Sequence, residues 1–506
     1  MGTTLFRHGH VSSPAEPFAT ALLVDGREVA WVGDEAAADA LSPDSVVDLE
    51  GCWIAPAFVD AHVHTTSTGL ALTGLDLAGA RSLAEALRRL ETHCRQLRGG
   101  VVLGTGWDES TWPEGRPPTS TELDRASYGG VVYLARADVH SAVASSALLA
   151  ACPQAQGLPG FLPGGLVRQQ AHHAVRGTAL AAVTASQRGL AQRAALDRAA
   201  ALGIACLHEC GGPDINGEDD FTGLLALDHG VERIGYWGEL DAVDKARSLG
   251  AQGAAGDLFV DGALGSHTAC LSDRYLDADT RGHSYLDAAQ VGAHVVACTR
   301  AGLQAGFHAI GDQALQAVCD GFHHAEKSVG VQALRAARHR VEHVEMVTPD
   351  QIAALANVGV VASVQPSFDA RWGGEHGMYV QRLGRQRALA MNPFAAMAAA
   401  GLALALGSDS PVTPLDPWGT VRAAVRHRTQ GSGLSPASAF SAHTEGGWWA
   451  ARRDGQGVVR PGAGATFAVW QVAAEADGSQ SWPPDLEGSD PRCRRLVVQG
   501  DTIFSL

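Results

Sequence analysis

Short apolar runs rich in β-branched residues recur along this chain, and many of them stop on an imidazole or a carboxylate. Trp53-Ile54-Ala55-Pro56-Ala57-Phe58-Val59-Asp60-Ala61 leads into His62-Val63-His64. Leu303-Gln304-Ala305-Gly306-Phe307 leads into His308, Val341 into Glu342-His343, and the run 402–406 into Gly407-Ser408-Asp409. Asp257 stands just ahead of Leu258-Phe259, with Val260-Asp261-Gly262 behind it. Between these runs lie Ala/Leu/Arg-rich segments with apolar residues at helical spacing, at 84–97, 190–201, 313–322 and 351–356. Buried strands alternating with helices over residues 57–439 predict an α/β chain built as a TIM-like (β/α)8 barrel rather than a doubly wound sheet.

The two ends follow a different pattern. Residues 1–56 alternate short strand-like runs with turns, as in Ala21-Leu22-Leu23-Val24, Asp25-Gly26 and Val29-Ala30-Trp31-Val32. Residues 440–506 do the same, as in Ala465-Thr466-Phe467-Ala468-Val469-Trp470 and Arg495-Leu496-Val497-Val498. Neither end could bury a core alone, so a small β-sandwich made from both is expected. Residues 75–175, rich in Trp, Pro and Gly, exceed a minimal barrel and read as an insertion that builds a substrate mouth.

Composition narrows the function classes. At 506 residues with 46% hydrophobic and 18% charged positions, the chain can fill a large core. A net charge of −16 argues against nucleic acid or an anionic membrane as partner and leaves a small molecule as the expected one. Oligomeric state stays open, a homo-oligomer included. Nine scattered cysteines show no framework spacing, and the N-terminus lacks a charged segment followed by an apolar core. Both point to a reducing, cytoplasmic setting. The apolar stretch 394–407 is too short to span a bilayer. No glycine-rich nucleotide fingerprint follows a strand.

The strand ends carry the chemistry. On an extended backbone residues i and i+2 point the same way, so His62 and His64 offer two nitrogens to one ion. A lone His-x-His pair, or a lone strand-end histidine such as His308 or His343, is more often a packed core residue. Asp409 alone would read as a helix cap. Facing one barrel mouth together, they read as a metal site.

In this order the residues resemble the amidohydrolase superfamily, and within it the exoenzyme-like branch that includes the N-substituted formamide deformylases (amidohydrolase family 3). The resemblance takes in residues 55–64, Gly106-Trp107-Asp108, Asp138-Val139-His140-Ser141 and residues 261–269. It continues through His308-Ala309-Ile310-Gly311-Asp312, Arg340-Val341-Glu342-His343, Gln365-Pro366 and residues 407–411. It implies His62 and His64 as ligands from the first strand, His308 and His343 from the fifth and sixth, and Asp409 from the eighth. Members with two metals place a carboxylated lysine on the fourth strand, where this chain has Asp257. Lys245 and Lys327, the two lysines of the chain, fall in segments that read as helices elsewhere.

Asp257 is therefore either a ligand itself or a bystander to a single ion held by His62, His64, His308 and Asp409, with His343 near its water. One ion is preferred over two. Imidazoles with carboxylate suit Zn²⁺ best, with Fe²⁺ or Mn²⁺ as alternatives. The expected reaction is hydrolysis of an amide-type C–N bond by a metal-activated water, with Asp409 as proton carrier and His343 or His140 beside the oxyanion. His140 and Trp107 are candidates to face the substrate, His267 and Asp312 to line the mouth. His208-Glu209 ends another strand-like run, whereas the pairs His172-His173 and His323-His324 read as solvated surface. A metal-dependent lyase or isomerase on the same scaffold is the runner-up, and a non-catalytic relative a more distant third.

Overall fold

A computed structural model describes residues 2–97, 99–109, 112–137, 141–473, 482–484 and 486–506. By contact density the chain forms two compact units, one of residues 1–65 with 196–506, the other of residues 66–195.

The larger unit contains the barrel. Its strands are β1 (Phe58–Val63), β2 (Ile204–Gly211), β3 (Glu232–Trp237), β4 (Gly253–Ala254), β5 (Gln304–Ala309), β6 (Arg340–His343), β7 (Val361–Val364) and β8 (Ala403–Leu406). All neighbours from β1 round to β8 pair in parallel. The ring closes just past β8, where the amide of Asp409 donates to the His62 carbonyl at 2.8 Å and that of His64 to the Ser410 carbonyl at 3.0 Å. β1, β2, β5, β6 and β7 are buried along their whole length, between a filled interior and a helical coat. The amphipathic segments expected from spacing form the helices Leu83–Gln96, Ala185–Ala201, Asp312–Val329 and Pro349–Asn357, with ends shifted by a few residues. At Pro349–Asn357 the start is set by the Thr348–Gln351 capping box, which periodicity does not register.

Both chain ends meet in a small sandwich. One sheet joins Glu28–Gly33, Ala21–Asp25, Thr3–Arg7 and Ser45–Asp48; the other joins His10–Val11, Trp53–Pro56, Phe467–Gln471, Arg492–Val498 and Asp501–Ser505. Phe6, Leu22, Val24, Ile54, Phe467 and Val497 share one apolar core between them. Trp470 then reaches the barrel, its ring 5.6 Å from Phe58 of β1 and 5.4 Å from Trp418.

The smaller unit has a five-stranded sheet in the order Leu166–Arg168, Ser141–Ala144, Val131–Arg136, Val101–Trp107, Leu75–Asp76, with apolar cores of its own. The region expected at 75–175 lies within it. His172, expected on the surface, is instead buried and bonded to the Tyr133 hydroxyl at 2.7 Å, because its helix packs that face onto the sheet. His173, His323 and His324 are exposed.

His443, buried after helix Pro436–Ala442, donates its Nδ1–H to the Val59 carbonyl at 2.8 Å. Burial lowers its pKa from 6.5 to about 4, outweighing that hydrogen bond. As pH falls below 6.5 the unfolded chain takes up a proton that the folded one refuses, so stability present at neutral pH is lost in acid. By pH 5 this one group should remove about 2 kcal/mol. Urea midpoints should fall between pH 7 and 5, and less steeply in His443→Asn; a fall of equal slope in that variant would contradict the assignment.

Candidate metal centre

β1 puts the side chains of His62 and His64 on one face, and the β8 closure lays Asp409 directly beside them. Gly407 makes that approach possible, since a Cβ there would sit 2.5 Å from the His62 nitrogen and 3.0 Å from Asp60 Oδ1. Gly407→Ala should accordingly cost about 1–3 kcal/mol and displace His62. Wild-type urea midpoint and metal content in that variant would refute the close contact.

Two further residues arrive through unusual backbone. His343, at the end of β6, and Asp409 have φ of 71° and 52°, left-handed values that cost a non-glycine residue about 1–3 kcal/mol. After the two ladder residues of β4 the chain turns at Gly256, with φ of 86°, and presents the Asp257 carboxylate to the imidazoles. The shorter side chain thus reaches the centre because the backbone carries it there.

The donor atoms converge. Asp257 Oδ1 lies 3.5 Å from His62 Nε2 and 3.7 Å from His343 Nε2, and its Oδ2 lies 3.2 Å from His64 Nε2. Asp409 Oδ1 is 3.1 Å from His64 Nε2 and 3.6 Å from His62 Nε2. A tetrahedral ion with bonds of about 2.1 Å needs donors about 3.4 Å apart, so this spacing suits a small divalent cation. Four of these buried atoms, His62 Nε2, His343 Nε2, Asp257 Oδ1 and Asp409 Oδ1, have no hydrogen-bond partner among the described residues. Leaving them so is costly, and a cation among them would supply a partner.

The ring tautomers agree. His62 Nδ1 lies 2.9 Å from Glu342 Oε2, His64 Nδ1 lies 3.1 Å from the Cys210 carbonyl, and His343 Nδ1 lies 2.7 Å from Gln365 Oε1. Each partner is an acceptor, so each Nδ1 carries the proton and each Nε2 turns a lone pair inward. Burial by itself lowers the pKa of His62 and His64. Cys210 and Asp257 around His62, and Asp257 with Asp409 around His64, outweigh it and raise both. Burial likewise pushes the Asp257 and Asp409 carboxyls up, yet the imidazoles hold both below the usual range. The cluster favours positive charge at its centre, supplied by protons or by a cation.

His308 packs beside this group, its ring 4.4 Å from that of His343, with Nδ1 3.6 Å from Asp261 Oδ1. Asp261 also accepts from the amides of Cys270, Ile310 and Gly311, which ties the loop after β4 to the end of β5. Lys245 pairs with Glu218 and Glu239, and Lys327 lies on helix Asp312–Val329, so neither takes the place of a bridging lysine.

The other expected residues are placed as follows. His267, with φ of 60°, bonds through Nε2 to Asp277 at 3.0 Å, and Asp312 accepts from the amide and hydroxyl of Ser272. Trp107 is buried in the smaller unit and donates to the Leu134 carbonyl at 2.8 Å. His140 lies outside the described residues. His208 accepts at Nδ1 from Arg340, and Glu209 accepts from the Thr65 amide. Beyond their place in the segments that carry the resemblance, no role for Glu342 or Gln365 follows from the sequence, nor any for Phe368, whose ring stacks on His343 at 5.9 Å. The signal for the first was Arg340-x-Glu342, two charges on one face of a strand that should be wholly apolar.

The sequence profile of the amidohydrolase family matches residues 45–504. Protein LONG AFTER FAR-RED 3 of Arabidopsis thaliana is 26% identical over 454 residues, covering 82% of this chain and 76% of that protein. The N-substituted formamide deformylase of Arthrobacter pascens is 26% identical over 469 residues, covering 84% of this chain and 83% of the enzyme. An uncharacterized metal-dependent hydrolase from Pyrococcus furiosus superposes with a TM-score of 0.76 at 25% identity, over 92% of this chain and 98% of that one.

Proposed function

The chain belongs to the amidohydrolase family, and from that premise we propose that it hydrolyses an amide-type C–N bond of a small molecule with one divalent cation, preferably zinc. The observation that carries this reading is the two groups of donors that share His62, one with His64 and Asp409 and one with Asp257 and His343, each with its ligand atoms within 4.8 Å of one another. His62, His64, His343, Asp257 and Asp409 would hold the cation, with His308 at its flank. When bound, it supplies Lewis-acid activation of water and of the substrate carbonyl.

The protein's own groups do the rest. Asp409, ionised and kept beside His64, takes a proton from the attacking water and returns it to the leaving nitrogen. Gln365 fixes the His343 ring, so that its Nε2 faces the reacting centre. Phe259 and Phe368 border His308 and His343 and give an apolar substituent a surface to rest on.

N-substituted formamides are the first class to assay, because one relative is named for that activity. Zinc-loaded protein should release amine and carboxylate, with ¹⁸O from labelled water appearing in the acid. Turnover without ¹⁸O incorporation would favour a lyase. Asp257→Ala should lose at least about ten-fold in metal affinity; unchanged metal content would remove Asp257 from the ligand set.

A further inference from the structure

On β6, joined to the ligand cluster through Glu342, lies an arginine that no part of the proposed chemistry uses. Arg340 is 0% exposed. Burying a guanidinium costs several kcal/mol unless its geometry is satisfied. Here every nitrogen has an acceptor. Nε and Nη2 form a fork on the Glu342 carboxylate at 2.8 and 3.0 Å, and Nη1 donates to His208 Nδ1 at 2.9 Å. Nη2 also reaches the Ala61 carbonyl at 2.6 Å and Ser363 Oγ at 3.2 Å. The plane lies over the Tyr236 ring, 4.2 Å from its centre. Four barrel strands besides its own thus meet on one side chain.

Two of these contacts lead to the same ligand. Glu342, gripped by the fork, takes the Nδ1–H of His62. Ala61, whose carbonyl Arg340 holds, is the residue next to His62 in β1. We propose that Arg340 is a positioning residue of the metal centre, fixing the tautomer and ring orientation of His62 through Glu342 and the backbone of β1 through Ala61. This rests on the metal-centre reading above. A purely structural filler would be served as well by apolar residues of similar volume. A two-point planar grip is what orientation requires, and lysine cannot reproduce it.

The test is a Co²⁺ titration of metal-free full-length protein against a competing chelator, reading both Kd and the visible absorption bands. Arg340→Lys keeps the charge and loses the fork; the double variant Arg340→Met/Glu342→Gln removes both charges and leaves His62 an acceptor. Variants that unfold cooperatively yet bind Co²⁺ about 10–100-fold more weakly, with altered bands, are the expected result. A folded variant of either kind with wild-type Kd and bands would overturn the positioning role. Failure of both to fold would assign Arg340 to structure instead. His62→Asn separates the two levels of the argument. If it too keeps wild-type affinity, the metal-centre reading fails; if it alone loses the cation, only the role of Arg340 does.

Discussion

Asp409→Asn is expected to lower kcat by about 10²–10⁴-fold while leaving the fold intact. Asparagine preserves the shape of the side chain and removes its ability to carry a proton. It also tolerates the backbone, because Asp409 has φ of 52°, a left-handed value that Asn adopts as readily as Asp. Alanine would mix lost chemistry with added strain. The amide of residue 409 would still donate to the His62 carbonyl, so the barrel closure is retained. Thermal unfolding and kcat, measured on the same preparation, separate the two effects. A variant with near-wild-type kcat would show that Asp409 is not the proton carrier.

The second large effect is removal of the cation. The buried donor atoms of His62, His343, Asp257 and Asp409 then have only one another to face. A ligand that binds the folded state alone stabilises it by about 2.7 kcal/mol at a concentration 100 times its Kd. Chelation should therefore abolish turnover and lower the unfolding midpoint, and Zn²⁺ should restore both. Reloading should also release protons, since burial fails to keep the His62 and His64 rings from holding them in the metal-free cluster. Identical midpoints and identical turnover before and after chelation would contradict a bound cation.

Much of the scaffold is legible in the sequence, for physical reasons. A strand buried on both faces must be apolar throughout, and a helix packed on it must be apolar at helical spacing. Regions 303–308 and 313–322 declare themselves in this way, as does the His62-Val63-His64 pair through its two-residue period. β4 does not. Its ladder is the two residues Gly253 and Ala254, and the turn at Gly256 that delivers Asp257 leaves no periodic trace. The left-handed backbone at His343 is equally silent, because its sequence neighbours do not impose it. His172 looked solvated in a polar stretch, and only the sheet carrying Tyr133 explains its burial. Arg340 and Glu342 are two charges in a fully buried strand. Their partners, Ala61, His62, His208 and Ser363, lie on other strands, and pairings across a barrel are invisible to any local pattern.

One cation held by donors from β1, β6, the turn after β4 and the turn after β8 is the core of the proposed chemistry. Metal analysis of dialysed protein after loading with Zn²⁺ tests it most directly, read beside the same analysis of His62→Asn and Asp257→Ala. One equivalent per chain in the wild type, lost from both variants, is the predicted result. No retained metal in the wild type, or a full equivalent in His62→Asn, would contradict it.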